Sequence, residues 1–212
     1  MAYDLNIEWK KIKADLVQDL QFLFGFFKNP LVGIRSVPSW SWPSQLIFLL
    51  ILSAGTGFLT GLVAKSFLAL LAGLFILPLS AIVLVLITSG FFYYVALFVF
   101  DRQLPFQKLS ALVLLASVPT FFLNIISPLI GLASLVGLGL SALLLMVGLV
   151  ENFKLPKKPT IKIVAALYAV ILLLWLLNTL WTLRETRNIE RMHQQKTHES
   201  LDILEQELRR GR

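Results

Sequence analysis

The sequence predicts an all-α fold, a polytopic helical membrane bundle with about five transmembrane helices. Three observations carry that prediction. First, no charged residue occurs between Ser66 and Phe100 or between Leu109 and Val150. Either run exceeds the roughly 20 apolar residues that cross a bilayer core. Second, 57% of the 212 residues are hydrophobic and only 15% are charged, against about 25% charged in soluble domains. Third, the apolar runs do not alternate with a polar face as a surface helix of a soluble protein does. They are separated instead by short stretches rich in proline, lysine and tryptophan.

From the N-terminus, residues 1–43 form a flank, 44–183 the membrane region and 184–212 a polar tail. Between Asp4 and Phe27, the positions Ile12, Leu16, Leu20, Leu23 and Phe27 recur at helical spacing, with Lys10, Lys11, Lys13, Asp15, Gln18 and Asp19 between them. This predicts an amphipathic helix lying in the membrane interface, with Trp9 as an anchor. The same periodicity fits a helix packed on the protein itself. Asn29-Pro30 ends it. The stretch Lys28–Pro43 holds Pro30, Pro38, Pro43, Trp40 and Trp42, which reads as a linker along the membrane surface with both tryptophans at headgroup level.

Ser44–Val63 is the first expected span and Lys65 marks its water boundary. Residues 66–100 number 35. That is long for one upright span, and short for two with a turn, which need about 40 residues. One long helix kinked at Pro78 is the preferred reading, and a tight hairpin the alternative. Residues 109–150 cover about two crossings, and Pro128 with Gly131 near the middle predicts a helical hairpin, spanning 109–126 and 130–150. A basic loop follows with Lys154, Lys157 and Lys158. Residues 163–183 form the last span. The tail has no Gly or Pro before Gly211 and reads as helix, with Leu201, Leu204 and Leu208 as a short stripe on one side. Such a stripe fits either a partner helix or a solvated helix.

With the N-terminus cytoplasmic, the two inside loops hold Arg102, Lys108, Lys154, Lys157, Lys158 and Lys162, against Lys65 alone outside. Basic residues favour the cytoplasmic side. The tail runs against this order, since five spans put its seven basic residues outside.

Enzyme chemistry finds no foothold, and no catalytic residue or cofactor is expected. The spans have no ionisable group at their centres, where pumps and proton relays place them. Glu151 caps the fourth span. Asn124 and Asn178 are the strongest intramembrane polar groups, suited to hydrogen bonds between helices or to a substrate contact. His193 and His198 lack a third ligand for a metal. The chain has no cysteine, so disulfides, thiol nucleophiles and Cys-based metal sites are excluded. The net charge of +7 is spread over the ends of apolar segments and is no nucleic-acid signature; no cleavable signal peptide is apparent. Gly57 and Gly61 make a GxxxG, and Ala133 with Gly137 repeats the spacing, which lets helix backbones approach.

The order of features resembles the Yip1-domain family, in which a cytoplasmic region precedes five membrane helices. Phe27-Lys28-Asn29-Pro30 followed by Ile34-Arg35 resembles the family's opening segment. Leu104-Pro105-Phe106-Gln107-Lys108 and then Ala116-Ser117-Val118-Pro119 look like its third-helix pattern. Pro128, Gly148-Leu149 and the lysine-bearing loop before the last helix also fit. The resemblance covers about residues 27–183, and the long tail departs from the pattern. It implies a place in membrane organisation; the family's eukaryotic members are linked to vesicle traffic and small GTPases of the Rab type.

Taken together, these features predict a non-enzymatic membrane scaffold or adaptor whose partners are membrane lipids and a protein partner or second copy, not nucleic acid. Small-molecule or lipid transport around Pro78, Pro119 and Asn124 is the alternative. The short, cysteine-free chain points to a bacterial cytoplasmic membrane, with a eukaryotic endomembrane as the alternative location.

Overall fold

The computed structural model describes residues 21–177 of the chain. Helix α1 covers 21–28 and α2 covers Pro30–Gly33, followed by a 3-10 turn at Ile34–Ser36. The long helices are α3 (Trp42–Val63), α4 (Phe67–Phe100), α5 (Phe106–Ile126), α6 (Ala133–Phe153) and α7 (Lys157–Leu177). All five are long and apolar enough to cross a membrane. The chain divides into two compact units, Met1–Tyr168 and Ala169–Arg212. Residues 169–177, the described part of the second, are helical.

Local chemistry sets the helix ends. Ser41 caps α3 by accepting from the N–H of Ser44, and Trp42-Pro43 fills the first turn, where a missing N–H does no harm. Ser66 caps α4 by accepting from Ala69. Between them the chain reverses through Lys65, whose φ of 50° is left-handed, and the N–H of Ser66 closes on the carbonyl of Gly61. Left-handed residues also end α4 at Asp101 and α6 at Lys154.

α5 is the centre of the first unit. It packs on α3, α4, α6 and the 3-10 turn. Leu109 through Ala116 are buried without interruption, because neighbours cover α5 on every side. α3 and α4 form a tight hairpin crossing at Gly57 and Gly73, whose backbones touch. Lipid replaces protein elsewhere: Ile51, Leu68, Phe75, Leu79, Leu84 and Ile87 all stand exposed on α3 and α4.

The 35-residue run is one continuous helix with Pro78 inside it, and two other features differ from the sequence expectation. At 34 residues α4 is about 51 Å long. Tyr93 and Trp42 both lie beside the Phe106 ring, so the last turns of α4 run on past the start of α3. α7 begins at Lys157, so its lysines belong to the helix and not to a loop; Pro159 is tolerated because the first turn needs no partner for its N–H. The stretch 30–36 is helical and bound to α6, because Asn29 restarts the chain by capping Val32 and Pro30 suits a first helical position.

Candidate functional site

Side-chain hydrogen bonds tie the N-terminal segment to the starts of α3 and α5 and, with the α4–α5 loop, to the end of α6. Gln45 on α3 donates through Nε2 to the carbonyls of Trp40 at 3.1 Å and Gln107 at 3.0 Å. Gln107 on α5 donates to that same Trp40 carbonyl at 2.7 Å. The Trp40 ring turns inward between Phe22 and Phe48. Gln45 Oε1 and Trp40 Nε1 remain buried without partners.

A second knot lies at the end of α6. Asn152 accepts the N–H of Val37 at 2.9 Å and donates to the carbonyl of Ile34 at 2.7 Å. Arg102 donates through Nη1 to the carbonyls of Phe153 at 3.3 Å and Lys154 at 2.9 Å. A guanidinium there satisfies the open carbonyls of a helix end and suits its partial negative charge. Lys108 Nζ stands 5.9 Å from the centre of the Phe153 ring. Chemically, these groups bind backbone. Their arrangement fastens elements and offers no nucleophile, base or ligand set. Among the described residues no group of three His, Cys, Asp or Glu could hold a metal ion.

Beside this cluster, a crevice between α3, α4 and α5 is lined by Trp42, Gln45, Leu46, Leu49, Ile82, Val85, Leu86, Ser110 and Leu114 and encloses about 40 Å³. That is room for about one water, whose share of the liquid is about 30 Å³.

The small-residue candidates lie at helix crossings. A methyl group on Gly57 would strike the backbone of Gly73, and one on Gly61 the backbone of Leu70. One on Gly137 would stand 2.9 Å from the Thr120 Cα, and nearby the hydroxyls of Thr120 and Ser141 share a hydrogen bond of 2.7 Å. Ala133 is buried at the first position of α6. Pro78 is buried in α4. The Pro119 carbonyl backs onto Gly137 of α6, and the Asn124 carbonyl accepts from Thr60 Oγ1 of α3 at 3.3 Å. Pro128 is exposed in the α5–α6 turn. Of the two tryptophans assigned to the headgroup level, Trp42 is exposed, but Trp40 is only 2% exposed, held inward by its aromatic neighbours. Trp9, Asn178, Leu201, Leu204 and Leu208, with the amphipathic helix before residue 21 and the tail, lie outside the described residues.

Sequence reasoning gave no site role to Gln45, Gln107, Arg102, Asn152 or Gly73. The phenylalanines of the opening segment, the proline inside the third-helix pattern and the lysines at the start of the last helix all sit on this one architecture. A sequence model of the Yip1 domain matches residues 24–178. No curated protein and no solved structure matches the chain. Spanning well over half of the residues, from α1 to the end of the five-helix region, the match shows that this chain belongs to the Yip1-domain family.

Proposed function

We propose that the protein is a non-enzymatic scaffold or adaptor, built to hold a fixed helical body in the bilayer and present its flanks to a protein partner or a second copy. The observation that carries this reading is the polar cluster. Its amides and guanidinium are turned onto backbone carbonyls and an N–H, which leaves them for fastening and not for chemistry or transport. Placing Arg102, Lys108, Lys154 and Lys157 on the cytoplasmic side follows the charge rule and puts the start of α3 there too. A bacterial inner membrane is the proposed location.

The test is cross-linking and mass measurement on protein purified from its own membrane in lipid nanodiscs. A defined partner or second copy in fixed ratio is expected, lost when 1–20 and 184–212 are both removed while the bundle keeps its melting behaviour. An invariant monomer, or solute flux in proteoliposomes, would overturn the reading.

A further inference from the structure

We propose that residues 21–37 are a re-entrant wedge: they dip into the acyl-chain region, past its middle at the Phe27 side chain, and return on the side from which they came. The occupant of their outer face is lipid, and the consequence is a preference for curved membrane. Neither depends on the scaffold reading.

Two contacts hold the ends of the segment in the half of the membrane where α3 and α5 begin and α6 ends. Phe22 lies edge-on to Trp40, ring centres 6.0 Å apart, and Val37 is bound by Asn152. Between these ends the chain goes deeper. Ile34 packs beside Leu112 and Gly148, each more than a turn inside its helix. Phe27 meets Phe122, ring centres 5.5 Å apart and nearly perpendicular. Phe122 lies 16 residues beyond Phe106 on α5, a helix rise of about 24 Å. A segment lying flat on the surface does not reach that residue.

The backbone is prepared for such a place. Irregular chain within a membrane has to satisfy its polar groups internally. At the bend, Asn29 donates its N–H to Gly25, and its carbonyl accepts from Val32 and Gly33. Its side chain also accepts from Val32, and Pro30 has no N–H to satisfy. The inner face carries Leu23, Phe26, Ile34 and Val37, all buried in the core. The outer face carries Phe24 at 68%, Phe27 at 45%, Leu31 at 54% and Val32 at 59% exposure, continuous with the lipid-facing surfaces of the long helices. Lys28 is exposed at the bend; its long apolar stem lets the ammonium extend back toward the headgroups. Two passes of chain fill the leaflet of entry and only the bend reaches beyond it, and volume added unequally to the two leaflets favours a membrane that bends away from the fuller one.

Because the chain has no cysteine, single cysteines report position without background. Spin labels at Phe24, Leu31 and Val32 of the full chain in vesicles are compared with labels at Leu50 on the lipid face of α3 and at Lys157. The expected result is collision with oxygen as at Leu50, and with a water-soluble nickel chelate several-fold below Lys157. Chelate exposure equal to Lys157 would overturn the insertion. Curvature is read separately, as protein density on membrane tubes drawn from giant vesicles relative to the flat parent. Several-fold enrichment is expected, falling toward equality in the variant F24A/L31A/V32A, which leaves the buried contacts intact. Equal density for the unmodified chain, or enrichment unchanged in the variant, would overturn the curvature preference.

Discussion

The side-chain amide of Asn152 donates to the carbonyl of Ile34 at 2.7 Å, across 118 residues of chain. Its oxygen takes the N–H of Val37, so one residue clamps the 3-10 turn to α6. Replacing Asn152 with Leu leaves that N–H and that carbonyl buried and unpaired, a loss of about 1–3 kcal/mol for each buried group. The expected outcome is a lower melting temperature in detergent and faster tryptic cleavage at Arg35.

Gly57 and Gly73 set the closest approach of α3 to α4. Gly57→Ala should destabilise the bundle by about 1–3 kcal/mol or more, as overpacking does, because backbone cannot move aside as a side chain can. Gly55 is the control: a methyl group there meets nothing within 4 Å, so Gly55→Ala should be neutral or slightly stabilising. Thermal aggregation of the two variants, measured side by side, checks the contrast.

The unpaired Trp40 Nε1 makes an unusual prediction. Trp40→Phe removes a buried donor that has no partner, so its stability should stay within about 1–2 kcal/mol of the parent despite lost volume. Gln107→Leu removes a 2.7 Å bond to the Trp40 carbonyl and should lower stability by about 1 kcal/mol. Chemical denaturation in mixed micelles separates the two.

Lys154 ends α6 with φ 52°. Lys154→Val should cost about 1–2 kcal/mol, since left-handed backbone crowds Cβ against the carbonyl. Lys154→Gly should cost nothing, as glycine adopts that conformation freely. The carbonyl that Arg102 holds is backbone and survives both changes. Melting curves of the pair give the answer.

The long helices were legible because lipid imposes a simple demand, unbroken apolar chain of bilayer length, that no local exception hides. The 35-residue run resolved as one helix for the same reason: it lacks the residues for two crossings and a turn. The polar cluster was not legible. Gln45, Gln107 and Asn152 carry no spacing signal, and their partners are backbone atoms up to 118 residues away. Gly57 stood out through Gly61, whereas Gly73, with Ala69 at the matching spacing, was not singled out and became visible only opposite its partner. At 28–43 the prolines were read as breaks. Helix breakers also restart helices, and the contact between Phe27 and Phe122 lies in tertiary packing, beyond any local pattern.

Lys65, Asp101 and Lys154 share one further property. Each holds a left-handed φ, between 50° and 52°, at a reversal where glycine would be easier, and each carries a charge. A glycine hinge can slide into the hydrocarbon when the bilayer thickens or thins. A charged hinge resists that movement from either direction. With one such stop at the far end of α3 and two at the opposite side, the bundle has its height in the membrane set at both faces. A change in bilayer thickness is then met by the lipid around it, not by the helices riding up or down.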